Sequence, residues 1–392
     1  MKGNILVIKG RSLYNVLRIA ADDMIQAFQD KGYEVTVTDG LIMEDLERFS
    51  EEFKKKHVLI FSFQAIWFDY YLEDGVTSIY TLLKDTPVFG HIMDHPIYHC
   101  TRLEAKHGDN MYVGCIDKSH VDYIDKYYPD VRNVVFLPHG GFTPKRVVPY
   151  GQRSIDVFFP GSYRNMSEVQ REIDEMQEVY KNMAKLLISK MTADPMLTLQ
   201  DALASYFDQI KFEYSSKEFE LVMNYMHVVD QFIHEASRNN CIQVLIKNGV
   251  HITVCGSGWE NVDPELAPFI NVIGSNGLDF TEVLEVMADS KFVLNHVPTL
   301  QNGMHERIFT SMICGAVCLT HDFPIMHEEF SDGENVILYT DSDIPLLADR
   351  IKELLNSPEQ AEQIARRGQE IALSRHTWAK NAEAILKIVG LE

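Results

Sequence analysis

The chain has 392 residues, 46% of them hydrophobic and 24% charged, with a formal net charge of −21. That length divides into two or three domains that bury their own cores, and so acidic a balance excludes an extended nucleic-acid or anionic-membrane surface while leaving room for a local basic pocket. The six cysteines, Cys100, Cys115, Cys241, Cys255, Cys314 and Cys318, form no CxxC pair, which predicts reduced core thiols in a cytoplasmic protein and no metal ligands among them. The opening MKGNILVIKG is too short an apolar run for a signal peptide, and no run is long enough to predict a transmembrane segment.

In chain order, a strand over Asn4–Lys9, a helix over about Tyr14–Lys31 and a strand over Glu34–Thr38 form a βαβ opening, the mark of a parallel sheet. Gly10-Arg11-Ser12 lacks a GxGxxG pattern and reads as a plain turn. Further units follow: strands at His57–Phe63, Pro87–Met93, Met111–Cys115 and Val134–Leu137, with helices at Gly75–Leu83 and Ser119–Tyr127. Ligands of open α/β sheets collect at the carboxyl ends of strands. Asp94, His95 and His139 are placed there. The Asp94-His95 pair could orient or deprotonate a sugar hydroxyl, or could be a loop cap with a structural imidazole. His139, in Pro-His-Gly, reads more simply as part of a turn.

The polar stretch Pro144–Arg153 reads as a linker between residues 1–150 and 151–392. A new sheet starts at Ile155–Phe159 and its first strand ends at Pro160-Gly161-Ser162, with Arg164 nearby. About 165–248 is helical, interrupted at Pro195 and near Tyr214–Lys217. Its apolar stripes, Met176/Val179/Tyr180/Met183 and Leu221/Met223/Tyr225/Met226/Val229, read as bundle core. Strands Val250–Cys255 and Ile270–Ile273 end at Gly256-Ser257-Gly258-Trp259 and Gly274-Ser275-Asn276-Gly277. A helix at Asp279–Asp289 leads to a strand at Lys291–Asn295. Beyond come a strand at Asn335–Tyr339 and helices at Ile344–Asn356, Pro358–Ser374 and Thr377–Val389. Asp341-Ser342-Asp343 resembles a metal-binding DxD, but its place before a helix predicts N-capping.

The stretch Asn295–Thr320, NHVPTLQNGMHERIFTSMICGAVCLT, carries the most chemistry. From Met304 the spacing turns helical, with Ile308, Phe309, Met312 and Ile313 on one stripe, and Gly315 stops it. Gln301–Gly303, His305, Glu306 and Arg307 then sit at the mouth of a helix, where free N–H groups and the dipole favour an anion. His305 and Arg307 add the donors a phosphate needs. The alternative is an ordinary crossover whose Arg is a surface charge.

The run Gly303-x-His305-x-Arg307-x-Phe309-Thr310-x-x-x-Cys314-Gly315, the strand-end glycines and the closing His376-Thr377-Trp378 resemble GT-B glycosyltransferases, group-1-like, of the spore-maturation type. The resemblance is best over about 250–380; the helical block has no counterpart in it. It implies two doubly wound Rossmann-like domains facing a cleft, an acceptor domain (1–150) and a nucleotide-sugar domain (151–392) with a helical insertion at about 165–248. It implies a nucleotide-sugar donor, UDP- or GDP-linked, a glycan, protein or small-molecule acceptor, no nucleic-acid partner, and no cofactor or metal. Carried over, Gly161, Ser162, Arg164, Gly256, Ser257 and Gly258 lie by the donor phosphates or sugar, Ser275 and Asn276 by the base, and His305 and Arg307 by the leaving group. Asp94 and His95 contact the sugar or activate the acceptor. The family's Glu after the Phe is here Thr310, and where related families carry a second Glu stands Asn302. Glu306, one turn before Thr310, is the residue that can replace the ribose-binding carboxylate. That departure keeps open a nucleotide-sugar epimerase or hydrolase, or a non-catalytic scaffold. A homodimer formed through the helical block is compatible with the sequence.

Overall fold

The structure, a computed structural model, describes residues 2–71, 78, 83, 85–105, 108–275 and 277–392. Its contacts fall into two compact units, Met1–Gly140 with Arg375–Glu392, and Gly141–Ser374.

In the first unit, β1 (Asn4–Lys9), α1 (Val16–Asp30) and β2 (Glu34–Asp39) form the predicted βαβ opening. Then come α2 (Met43–Glu52), β3 (Leu59–Phe63), β4 (Val88–Ile92), α3 (Cys100–Glu104), β5 (Met111–Cys115), α4 (Lys118–Tyr127) and β6 (Asn133–Phe136). The six strands are parallel in the order β2-β1-β3-β4-β5-β6. β3 and β4 are buried along their whole length, as strands covered on both faces must be. Of the helix predicted over Gly75–Leu83, only Ser78 and Leu83 lie within the described residues.

The second unit runs β7 (Ile155–Pro160), α5 (Met166–Asp174), α6 (Glu178–Ala193), α7 (Leu199–Gln209), α8 (Ser216–Lys247), β8 (Ile252–Cys255), β9 (Ile270–Ile273), α9 (Phe280–Ala288), β10 (Ser290–Asn295), α10 (Glu306–Ile313), β11 (Val317–His321), β12 (Ile337–Tyr339), α11 (Ile344–Leu355) and α12 (Pro358–Arg375). Its strands are parallel in the order β12-β11-β10-β7-β8-β9, the doubly wound order whose reversal point lies between β7 and β10. The insertion is the four helices α5–α8. α8 starts on a capping box in which Ser215 and Glu218 satisfy each other's backbone N–H groups. The buried stripe is narrower than predicted: Met183, Met223, Met226 and Val229 are buried, but Val179, Leu221 and Tyr225 are exposed.

The last helix, α13 (Trp378–Ile388), belongs to the first unit, not to a domain running from 151 to 392. It packs on α1. Trp378 meets Phe63 edge-on at 5.3 Å, and Asn381 donates to the Pro138 carbonyl at 2.8 Å. Its apolar stripe shows that it packs somewhere; only the folded chain shows on what.

Candidate active site

The helix predicted at the phosphate-binding mouth is α10. Its N-cap is His305, whose Nδ1 accepts the Arg307 N–H at 3.2 Å; a neutral imidazole accepting there carries its proton on Nε2. Ile308, Phe309, Met312 and Ile313 are all buried, as their spacing requires. Gly315, at φ +75°, closes the helix: its N–H reaches Met312 O and that of Ala316 reaches Ser311 O, the reciprocal pair of a Schellman motif.

Around this helix the strand ends on either side of the reversal point supply the remaining groups. After β7, the Ser162 hydroxyl accepts from the Ser257 N–H at 3.2 Å, and the Gly161 carbonyl accepts from the Trp259 indole at 2.8 Å. Gly256, at φ +141°, follows β8, and a Cβ there would fall 2.8 Å from the Gly161 carbonyl. The space beside Gly161 is filled by the Phe159 ring. These glycines therefore let two strand ends touch each other. A small hollow in front of α10 is lined by Asn295, Gly303, His305 and His321 and holds about 10 Å³, room for one water.

Arg307 is the charge at this place. Its Nη1 donates to Asn295 Oδ1 at 3.3 Å, and its guanidinium lies over the Phe159 ring at 5.8 Å. Burial lowers its pKa to about 10, with Glu306 opposing and Arg238 assisting, so it stays charged at neutral pH. A second guanidinium, Arg238 of α8, lies 5.6 Å from the same ring. It donates to Ser162 O at 3.0 Å and to His234 Nε2 at 2.9 Å, and pairs with Glu235 at 3.3 Å. The Nε of each arginine is buried without a hydrogen-bond partner. Sequence reading missed Arg238. The available signal was a His and an Arg at 234 and 238 on the stripe that continues through the buried Cys241, Ile242 and Leu245.

Arg164 serves the insertion: it donates to Gln231 at 3.1 Å and pairs with Glu172. Thr310 is fully buried; its hydroxyl donates to Glu306 Oε2 at 2.8 Å and accepts from the Phe142 N–H at 3.3 Å. It thus positions Glu306, whose carboxyl is pushed up by burial, against the lowering effect of Arg307 and of that hydrogen bond. Ser275 is exposed after β9, Asn302 lies half-buried in the loop before α10, and Asn276 lies outside the described residues. The capping predicted for Asp341-Ser342-Asp343 does not occur: neither adjoining helix has a side-chain cap. Asp343 instead accepts from Thr340 at 2.6 Å, and Asp341 accepts from Ser237 at 2.8 Å.

In the first unit, Asp94 follows β4 and is exposed, and it accepts from Gln64. Desolvation by its neighbours pushes its carboxyl up and the Gln64 bond opposes this. His95 accepts from Ile97 N–H at 3.1 Å and packs edge-on against His120 and Tyr123. His139 is buried, and that burial drives its pKa down to about 3. The loop after β3 holds Gln64, Ala65 and Trp67 at positive φ, and the loop after β1 holds Tyr14 and Asn15 so. Strain of this kind in non-glycine residues gathers at functional loops.

Residues 231–387 match the family model described as glycosyl transferase-like. That match spans about two fifths of the chain, and over it the chain is similar to glycosyl transferase-like proteins. Its fold is that of GT-B glycosyltransferases. Sucrose-phosphate synthase from Thermosynechococcus elongatus superposes with a TM-score of 0.54 at 12% identity, covering 98% of each chain. HepE from Anabaena, in complex with UDP-glucose, gives 0.52 at 13%, covering 99% of each. An alpha-glucosyltransferase in complex with UDP and a 13-mer DNA containing an HMU base gives 0.55 at 12%, again covering 99% of each. Identities this low show fold and assign no residue. No curated protein matches the chain by sequence. Among the described residues no helix is long and apolar enough to cross a membrane.

Proposed function

We propose that this glycosyltransferase moves a sugar from a nucleoside diphosphate sugar to a hydroxyl acceptor, and that the departing diphosphate is stabilised by Arg307, Arg238 and the first turn of α10. The observation that carries the reading is the pair of part-buried guanidiniums over Phe159, each with a buried, unpartnered Nε, at the reversal point of a Rossmann-order sheet. Two part-buried guanidiniums this close repel unless anions complete them; Glu235 pairs with Arg238, and Arg307 keeps donors for a further anion. Charge on the leaving group is offset by fixed donors, so this step needs no metal. The first unit is proposed to bind the acceptor through Asp94 and His95. UDP accompanies the HepE and alpha-glucosyltransferase structures, which makes uridine the first base to try; the acidic surface speaks against DNA as acceptor here.

The test is a thermal-shift screen with UDP, GDP and other nucleoside diphosphates and their sugars. A ligand binding only the folded state raises the melting temperature by mass action. Product analysis of the stabilising sugar nucleotide, with and without candidate acceptors, then separates transfer from hydrolysis or epimerisation. If no nucleoside diphosphate shifts the transition at millimolar concentration, the reading fails.

A further inference from the structure

Three side chains that the proposed transfer does not use converge at the carboxyl ends of β10, β11 and β12. Strand register brings them there: Asn295 pairs with Thr320 and His321 with Tyr339. His296, His321 and Asp341 therefore stand at the ends of three neighbouring parallel strands. One nitrogen or oxygen from each lies within 4.8 Å of the other two. His296 and His321 are buried, with ring centroids 4.3 Å apart, while Asp341 is exposed. Ser237 of α8 bridges them, lying 2.8 Å from His296 Nε2 and 2.8 Å from Asp341 Oδ2. His321 Nε2 is 3.2 Å from Asp341 Oδ1.

We propose that His296, His321 and Asp341 form a site for one divalent transition-metal ion of the zinc class. Two imidazoles and a carboxylate suit zinc, cobalt or nickel, whereas magnesium and calcium demand oxygen. Bonds of about 2.0–2.1 Å to a tetrahedral ion put its ligand atoms roughly 3.3 Å apart, so side-chain adjustments of about an ångström close the cluster. The Tyr339 hydroxyl, 3.0 Å from His296 Nδ1, is the outer partner that fixes a metal-binding imidazole. Asp341 and Ser237 also line a cavity of about 230 Å³ with Met191, Phe232, Pro298 and Gln301, which gives an ion a way in. With Ser237 or a water in the fourth position, the ion ties α8, and with it Arg238, to the strand ends. It is a structural clamp, and its binding is read without reference to any transfer reaction.

The full chain, stripped of metal with a chelator, is titrated with Zn²⁺ by calorimetry and with Co²⁺ by visible absorption. One equivalent per chain is expected, with the intense d–d bands of a tetrahedral cobalt site and a raised melting temperature. Asp341→Asn, at an exposed position that does not endanger folding, and His321→Ala each weaken binding by at least about tenfold. Asp343→Asn, whose carboxylate accepts from Thr340, leaves it unchanged. Absence of stoichiometric binding up to millimolar metal overturns the assignment, as does binding that survives in the double variant Asp341→Asn/His321→Ala.

Discussion

Replacing Arg307 by Met removes a guanidinium while keeping a side chain of similar length over Phe159. Of the five N–H donors of that group, one goes to Asn295 and the Nε–H is buried with no acceptor. The donors left over suffice for two charge-assisted hydrogen bonds to phosphate oxygens, each worth about 1.5–3 kcal/mol. Only the part that strengthens as charge collects on the departing diphosphate affects turnover. Taking about half gives roughly 1.5–3 kcal/mol, a fall of about 13- to 160-fold in kcat. Arg307→Lys keeps the charge and loses the planar fork, so it falls between the two. The assay is nucleoside diphosphate release at saturating donor, with calorimetric affinity for the free diphosphate alongside and a melting curve to establish folding. If Arg307→Met is folded and turns over within about threefold of the parent, the guanidinium does not stabilise the leaving group and the assigned role is wrong.

Thr310→Val deprives the buried Glu306 carboxyl of its hydroxyl donor, which costs about 1–3 kcal/mol and lowers the calorimetric transition of the second unit by roughly 2–10 °C; an unchanged transition means Glu306 does not depend on that bond. Gly256→Ala forces a Cβ to within 2.8 Å of the Gly161 carbonyl at a φ of +141°; a loss of about 2 kcal/mol or more in urea unfolding is expected, and parental stability would show that the two strand ends need not touch. Burial, the main cause in each case, lowers the pKa of His91 and His99 to about 4 and of His120 and His139 to about 3. Their unfolded values lie near 6.5, so between that pH and 3–4 the unfolded chain binds protons that the folded first unit refuses. The stability they support is full above about pH 6.5 and drains away as pH falls through the window. A melting temperature that stays flat from pH 7 to pH 4.5 contradicts this.

Local signals were legible and long-range ones were not. The strand ends, the Gly315 stop and the stripe of α10 follow from φ preferences and periodicity, which neighbouring residues decide among themselves. Arg238 was invisible for a different reason: a helix shows from sequence which residues share a face, but not what that face meets. α8 turns Arg238 toward Ser162, 76 residues earlier, a contact no window of the chain contains. The same holds for His296, His321 and Asp341, whose meeting depends on strand register, and for α13, whose buried Trp378 could have packed on either sheet. Gly161 and Gly256 carry a signal of another kind. A glycine at a strand end is equally suited to a ligand or to a neighbouring chain segment, and here the Phe159 ring and the adjoining strand end fill the space.

Where the resemblance to GT-B glycosyltransferases leads one to expect a Glu after the Phe, this chain has Thr310. A carboxylate stands on the same helix face four residues earlier, at Glu306, about 6 Å nearer the N-terminus. There it is beside Arg307 and in the helix's positive end, which favours its charge, yet burial pushes its pKa upward. A diphosphate docking nearby would repel that carboxylate, a repulsion that Arg307 and the Thr310 hydroxyl offset. Glu235 pairs with Arg238. Thr310 itself has nothing to offer a ribose, because its hydroxyl is taken by Glu306 and by the Phe142 N–H. Under the proposed function, the ribose of a nucleotide-sugar donor is therefore held by groups other than residue 310.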